Sequence, residues 1–487
     1  MKTKATHTRR QFLRRTALAA GAFTAGPTLT AAAGRTKDAD LRLPTSLASA
    51  KPPYLVFLPL AEGVPPAKVF QDRQYIESLP VDGVVMMGRT VVSGNETVPY
   101  CIWSNKESVK YAQVVDEAAP LKGTFSKLNH SWLMGLTTMK AGDWFGDWST
   151  CLGNFAILAR ACKDLGMEGL LLNNCNDQYH PIPIWEYPNP LTSAAKTLAE
   201  YRQQVRLRGM QIMEACVKEY PAFKLALMVG PATAEAGDPH IAASSKSFAL
   251  MSAFYSGLIA GVGDKGMVID ASVFYNAQER RLFTGSYQFR KYEIPSSRHN
   301  SPSVPETDRA LWRRRLKIGY GLSYGYTEEG MTHALRQCDY MCWYYNGANN
   351  LDPETTKEKW WPKDRFPSLG AARAAATAPG VNNVASGIHF ATTLGEATLR
   401  AIPGDALFSY RLDYENHTGS KESITYLEKP DWVKARANQA TISGVPPATP
   451  RTDTLLAVIS AAGKSDSLKL TLVTLAAPIP DGGGQDK

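Results

Sequence analysis

Short apolar runs alternate with stretches of helical periodicity from Tyr54 to Tyr345. The runs are Tyr54–Leu58, Gly83–Met87, Thr124–Leu128, Gly169–Leu172, Lys224–Val229, Gly266–Ile269, Gly321–Tyr326 and Tyr340–Tyr345. Most are apolar without strict alternation, the pattern of strands covered on both faces in a parallel sheet. Between them, Asn154–Leu165 carries apolar residues at helical spacing and stops at Gly166. Ala195–Tyr220 is a long amphipathic stretch ending before Pro221, and Ser303-Val304-Pro305-Glu306 has the spacing of a capping box opening a helix through Leu316. The whole predicts an α/β protein, a (β/α)8 TIM-type barrel over residues 51–390. A doubly wound open sheet fits less well. Leu60-Ala61-Glu62-Gly63-Val64-Pro65-Pro66 follows the first run where a glycine-rich phosphate loop would stand.

After about Gly395 the pattern changes to strand-like segments separated by turns. Ala406–Leu412, Lys429–Val433, Ala440–Pro447 and Leu468–Val473 predict a small C-terminal β-sandwich over residues 395–477, with a flexible tail at 478–487. The order Pro430-Asp431-Trp432-Val433, then Thr441-Ile442-Ser443-Gly444-Val445-Pro446, then an alternating strand resembles the immunoglobulin or cadherin-like module attached to many bacterial secreted enzymes. That resemblance implies a spacer or stabilising role and no catalysis.

The N-terminus reads differently. Thr8-Arg9-Arg10-Gln11-Phe12-Leu13-Arg14, followed by the uncharged run Thr16–Ala33, resembles a bacterial twin-arginine export signal. Ala31-Ala32-Ala33 offers a cleavage site, so residues 1–33 read as signal and 34–50 as a polar linker. The resemblance implies the twin-arginine export machinery as a partner and a periplasmic or extracellular destination. The run is too weakly apolar for a membrane span, and no other segment is long enough for one. The net charge of +9 includes six signal cations, Lys2, Lys4, Arg9, Arg10, Arg14 and Arg15, so the mature chain carries 9 − 6 = +3. That balance gives no argument for nucleic acid.

Seven cysteines, Cys101, Cys151, Cys162, Cys175, Cys216, Cys338 and Cys342, fit no zinc or iron–sulfur spacing and read mainly as buried small hydrophobes. If Cys338 and Cys342 share one strand they lie ~13 Å apart and cannot bond.

A barrel carries its chemistry at the C-terminal ends of its strands. The segments after the runs hold Asn129-His130-Ser131-Trp132, Asn173-Asn174-Cys175-Asn176-Asp177-Gln178-Tyr179-His180, Asp270 through Tyr275, Thr327-Glu328-Glu329, and Trp360-Trp361. Amides, carboxylates and flat rings together suit a sugar, which offers hydroxyls and apolar C–H faces. Glycoside hydrolysis needs two carboxyl groups. Asp270 is the first catalytic candidate because it ends an apolar strand, with Asp177, Glu328 or Glu329 as partner. His130, Asn173, Asn174, Tyr179, Tyr275, Trp343, Tyr344 and Trp360 are the substrate-binding candidates. The plainer readings are a loop cap for Asp177, a salt bridge for Asp270, solvent exposure for one of the two glutamates, helix capping for Asp143 and Asp147, and core packing for Trp144, Trp148, Trp343 and Trp360.

The layout resembles secreted glycoside-hydrolase barrels. One large group of these carries Asn-Glu after the fourth strand. Asn173-Asn174 stands here instead, which speaks against that group. Three functions therefore stand open: a secreted carbohydrate-active enzyme acting on a polysaccharide or oligosaccharide, a glycan-binding barrel without catalysis, and a metal-dependent hydrolase built from residues such as His130, Asp177 and His180. The first requires neither metal nor cofactor.

Overall fold

The computed structural model describes residues 53–58, 64–87, 91–93, 96–97, 102–104, 108–123, 125, 127–137, 143–174, 184–188, 196–235, 248–274, 277–296, 299–323, 325–345, 361, 366–378, 381–391, 398–401 and 408–474. The signal, the linker, Asp177, Tyr179, Tyr275, Trp360 and the C-terminal tail lie outside these. The chain divides into two units, one over Pro53–Ala376 and one from Thr377 onward.

The first unit is a parallel barrel. Its strands are β1 (Tyr54–Leu58), β2 (Gly83–Met86), β3 (Trp132–Leu136), β4 (Gly169–Asn173), β5 (Lys224–Leu227), β6 (Met267–Asp270), β7 (Leu316–Ile318 continuing as Tyr320–Ser323) and β8 (Met341–Tyr345). Each strand pairs with the next, and β8 pairs back onto β1 with Tyr54 opposite Met341. The amide of Gly319 donates to the carbonyl of Asp270 at 2.8 Å, and that of Gly321 to Ser272 at 2.8 Å. The two pieces of β7 are therefore one strand, and the eight-stranded sheet closes.

Two expected strands are corrected. Thr124–Leu128 forms no strand among its described residues; the third strand is Trp132–Leu136, whose Trp-Leu-Met-Gly-Leu sequence lacks β-branched residues and contains a glycine. The seventh begins at Leu316, inside the expected helix. The capping box at Ser303 does not form. The helix starts after Pro305 with no side-chain cap, and the Ser303 amide donates to the Ser301 hydroxyl instead.

The helices are α1 (Pro66–Gln71), α2 (Arg73–Ser78), α3 (Tyr111–Ala118), α4 (Ser149–Leu165), α5 (Leu198–Glu219), α6 (Ala232–Glu235), α7 (Met251–Gly261), α8 (Arg280–Gln288), α9 (Glu306–Arg315), α10 (Glu328–Arg336) and α11 (Phe366–Thr377). Helix α5 does open on a reciprocal capping box, Thr197 with Glu200. None of the described helices is long and apolar enough to cross a membrane.

Strand alternation sorts the barrel residues into two sets. Val56, Leu58, Val85, Met87, Trp132, Met134, Leu136, Leu171, Ala226, Met228, Ile269, Ala271, Val273, Met341 and Trp343 fill the interior as one buried cluster. Their sequence neighbours face the helices. Trp343 fixes the top of this filling. Its Nε1 donates to the Ala271 carbonyl at 2.8 Å, and its ring lies 2.2 Å from where a Cβ at position 321 would stand. A Cβ at position 319 would lie 2.4 Å from the Met341 carbonyl oxygen. Glycine at these two positions is what lets β7 lie between β6 and β8.

On the outside, α8 continues as a π turn over Phe289–Glu293. Two consecutive cations project from it. Arg290 meets Asp270 of β6 at 2.9 Å, and Lys291 meets Asp339, just ahead of β8, at 2.6 Å. All four side chains are buried, and the two pairs straddle β7. Burial alone would lower the pKa of Arg290; the Asp270 carboxylate and Tyr320 offset it and hold the guanidinium above its ordinary value.

Cys338 precedes β8 and Cys342 lies within it, so the two do not share one strand. Cys151, Cys162, Cys216, Cys338 and Cys342 are all free and buried, and burial pushes the Cys151, Cys162, Cys216 and Cys338 thiols well up from their ordinary value.

The second unit is built from small sheets. Its strands are β9 (Ile388–Phe390), β10 (Thr398–Ala401), β11 (Phe408–Arg411), β12 (Tyr414–Asn416), β13 (Ser423–Glu428), β14 (Val433–Lys434), β15 (Thr441–Gly444), β16 (Arg451–Ala461) and β17 (Lys464–Thr474). They pair as β10-β17-β16-β13, β11-β15-β14 and β9-β12, mostly antiparallel. Ile388, Phe390, Leu412, Ile424, Val433, Ile442, Leu455, Ile459, Leu470 and Leu472 share one core. This core starts at β9, ahead of the boundary expected near Gly395.

The β16–β17 hairpin turns on Ala462 and Gly463, with φ of 52° and 74°. Both central residues of such a two-residue turn need positive φ, which costs an alanine about 1 kcal/mol. Ala462→Asn should therefore stabilise the second unit by roughly 0.5–1 kcal/mol. Denaturant unfolding followed on this unit's transition checks it, and a lower midpoint would contradict it.

Candidate functional site

The mouth at the C-terminal ends of the strands is lined, among the described inward-facing positions, by Leu58, Met87, Leu136, Asn173, Met228 and Val273. Asn173 is the polar member of that set and lies at the end of β4. Asn174 points the other way. It is fully buried and bridges to β5, its amide nitrogen donating to the Val229 carbonyl and its Oδ1 accepting from the Val229 amide, both at 2.8 Å. It pins the end of β4 to the segment that follows β5.

Asp270 has the opposite parity to Ile269 and Ala271, so its side chain faces the helix layer rather than the mouth. It is fully buried. Its Oδ1 takes the Arg290 guanidinium at 2.9 Å, the Ser272 hydroxyl at 2.5 Å and the Ser272 amide at 3.2 Å. The strand-end position that singled it out in the sequence is correct, but alternation turns the carboxylate away from any substrate in the barrel.

The other expected residues are distributed as follows. Glu328 and Glu329 sit in the exposed first turn of α10, where acids suit the helix N-terminus. Glu329 meets His333 at 3.5 Å. Trp343 fills the barrel interior. Tyr344 faces outward and stacks on Phe57, with ring centroids 6.1 Å apart. Trp144 and Trp148 are buried with Trp103 and Trp185 in an aromatic cluster, and donate to the carbonyls of Ile184 and Asp143. Asp147 accepts the Ser149 amide at 2.9 Å at the start of α4.

His130 is corrected together with the third strand. It precedes β3 and so lies at the N-terminal face, opposite the mouth. There it stacks on Tyr54 and meets Glu168, which also pairs with Lys224. Burial acts to raise the pKa of Glu168, but His130 and Lys224 overcome it and hold the carboxylate below its ordinary range. This cluster lies at the base of the barrel, the face that serves stability in such folds.

One charged cluster on the C-terminal side was not visible in the sequence. Glu235 ends α6, the short helix after β5. Its Oε2 lies 3.0 Å from His299 Nε2, and its Oε1 accepts from the Ser301 hydroxyl at 2.7 Å. Burial acts to raise the Glu235 pKa; the hydrogen bonds from His299, Ser301 and Ser252 overcome it and hold the carboxyl below its ordinary value. His299 is shifted up, first by its hydrogen bond to Glu235 and against the effect of burial. Between His299 and Ser301, Asn300 adopts a φ of 50°, rare outside glycine. The partners lie 64 and 66 residues from Glu235, so no local motif signals them. Among the described residues, no group of three or more His, Cys, Asp or Glu side chains is placed to hold a metal ion.

No family model matches the chain, and no curated protein matches it. Among solved structures, an endo-fucoidan hydrolase of glycoside hydrolase family 107 aligns over 87% of this chain and 68% of its own, at 12% identity and a TM-score of 0.34. An endo-β-1,4-mannanase from Thermotoga petrophila aligns over 84% and 94%, at 8% identity and a TM-score of 0.33. A Bacteroides fragilis protein aligns over only 16% of each chain, with a TM-score of 0.15. Likeness this slight assigns no activity. The class rests on the chain's own topology, a closed α/β barrel of eight parallel strands followed by an all-β unit.

Two outcomes follow from this geometry. Arg290→Met leaves Asp270 charged and buried, and should cost about 3–5 kcal/mol of barrel stability in denaturant unfolding; a change under about 1 kcal/mol would contradict the clamp. For the Glu235–His299 pair, the raised histidine contributes stability below its unfolded pKa that is lost as pH rises through the folded value. The lowered glutamate contributes stability above its unfolded pKa that is lost as pH falls through its folded value. The pair is thus strongest between the two unfolded values, above about 4.5 and below about 6.5, and weakens as pH passes outward through either folded value. Histidine titration by NMR should place His299 above 6.5 and show it falling in Glu235→Gln; an unchanged titration would contradict the pairing.

Proposed function

We propose that the chain is an exported glycoside hydrolase-type enzyme, with Glu235 and Asp177 as its two carboxyl groups. The observation that carries this reading is Glu235, a carboxylate on the C-terminal side of the barrel kept ionised by His299 and Ser301. Asp270 is committed to Arg290, and Glu328 and Glu329 are exposed in the first turn of α10, which leaves Asp177, three residues beyond Asn174 in the sequence, as the second acid. Asn173, facing the mouth, and Tyr179, Tyr275 and Trp360, which follow β4, β6 and β8 in the sequence, are the sugar-binding candidates that remain. In the reaction, Asp177 gives a proton to the departing sugar oxygen as its bond to the anomeric carbon breaks. Glu235 either draws a proton from the attacking water or attacks the carbon itself. A carboxyl separation of ~6.5–9.5 Å selects the first course and ~5–5.5 Å the second.

Export by the twin-arginine route, and with it a periplasmic or extracellular site of action on polysaccharide, is supported by Thr8–Arg14 and the uncharged run to Ala33. The second unit, with Trp432 and the Ser443-Gly444-Val445-Pro446 turn, supports an immunoglobulin-like spacer role. A barrel that binds glycan without cleaving it is the second reading, favoured by the absence of carboxylates among the described inward-facing strand ends.

The test is a panel of plant and algal polysaccharides digested by the chain from Gly34. Glu235→Gln and Asp177→Asn should each cut release of reducing ends by roughly 10²–10⁴-fold. Full release by both variants would overturn the assignment of the pair. Glycan binding with no release by the unmodified chain would establish the second reading.

A further inference from the structure

A groove of about 420 Å³ lies outside the mouth, on the exposed side of α5 and the loop before α4, lined by Phe145, Glu200, Gln203, Gln204, Arg206 and Leu207. Its size is within the range of ordinary small-ligand sites, ~300–1,000 Å³. It holds one flat ring and one exposed leucine beside two amides. That is the mixture a sugar requires, with apolar surface for the C–H face and amide donors and acceptors for the hydroxyls.

The two charged side chains in the lining are already neutralised. Glu200 accepts from the Thr197 amide at 2.7 Å and hydroxyl at 2.9 Å, and meets Lys196 at 3.3 Å. Arg206 is held by Asp308 through Nε at 3.0 Å and Nη2 at 2.5 Å. Gln204 donates through Nε2 to the Trp144 carbonyl at 3.0 Å, which fixes its side chain with the oxygen left as an acceptor. Gln203 is exposed on the same helix surface. The capping box, the Arg206–Asp308 pair and the Gln204 bond hold these groups in place before any ligand arrives, so little side-chain ordering is required on binding.

We propose that this groove is a second, non-catalytic subsite for an uncharged polysaccharide strand. The inference rests on the glycan reading above and adds a site separate from Glu235 and Asp177. The neutralised charges select a neutral glycan over a sulfated or uronic one, because the groove offers neither a free cation for an anionic sugar nor a free anion for a basic peptide. Phe145, with Lys196 Nζ 5.4 Å from its ring centroid and Tyr201 edge-on at 5.2 Å, supplies the apolar surface that remains, and Gln203 and Gln204 supply the hydroxyl contacts; Lys196 is itself paired with Glu200. A long chain would engage the groove and the mouth together and gain avidity; a short oligosaccharide would engage the mouth alone.

Affinity electrophoresis of the full chain from Gly34 in gels containing each neutral polysaccharide of the panel tests this, with kcat and KM measured on a short oligosaccharide of the same sugar. Gln203→Ala and Leu207→Asp lie on solvent-facing positions of α5 and should not disturb folding; Phe145→Ala is the stronger variant. Phe145→Ala and Leu207→Asp should each weaken retention by the long polysaccharide about tenfold while kcat and KM on the oligosaccharide stay unchanged. Retention equal to the unmodified chain in all three variants would overturn the subsite. Equal loss on the long and short substrates would also overturn it, since the groove would then be part of the mouth. If the unmodified chain neither binds nor cleaves any glycan of the panel, the failure lies with the underlying glycan reading, and the subsite falls with it.

Discussion

The barrel closes through β7, and β7 closes it only because positions 319 and 321 carry no side chain. Gly319 passes against the Met341 carbonyl, and Gly321 lies under the indole of Trp343. The strand is held from outside by two buried ion pairs on consecutive residues of the π turn, Arg290 with Asp270 on one side and Lys291 with Asp339 on the other. An ordinary helical turn rotates successive side chains ~100° apart; the wider π turn is where such a helix departs from regular geometry, often for a local purpose. Here the two cations reach the neighbours of β7 on both sides. Without this clamp the sheet would have an open edge between β6 and β8.

The same clamp decides which carboxylates are available for chemistry. In a closed barrel each strand has one set of side chains in the interior and one against the helices. Asp270 belongs to the second set, so it stabilises the wall. Glu235 is free of that constraint because it lies beyond the strand, on α6. There it is held ionised by groups from the β6–β7 connection. Under the proposed assignment the chemistry sits beyond the strand ends, and the interior is left to Met, Leu and Trp packing.

The repeat of apolar runs was enough to read the barrel, because a strand buried on both faces must be apolar throughout, and a helix that covers it must be amphipathic. β3 escaped because Trp-Leu-Met-Gly-Leu has weak strand propensity, and that one shift moved His130 from the mouth to the base. The start of β7 at Leu316 was hidden by the helix running into it without a break at Arg315. In the second unit the long strands β13 and β16 were missed, since polar residues alternate along their exposed faces. The site was less legible than the fold. A period of two tells which residues share a face but not which face is inside, so Asp270 and Tyr344 were read as rim residues. Glu235, His299 and Ser301 meet only through tertiary packing, with no spacing to betray them.

The central claim is that the sugar-facing carboxylate is at position 235 and that Asp270 belongs to the wall. A crystal structure of the Glu235→Gln chain with a bound oligosaccharide tests it most directly. The account predicts a sugar at the C-terminal mouth with its anomeric carbon either within about 3.5 Å of the residue-235 side chain or linked to it by one water, and Asp270 still paired with Arg290. A sugar whose anomeric carbon instead contacts Asp270, with Arg290 displaced, would contradict it.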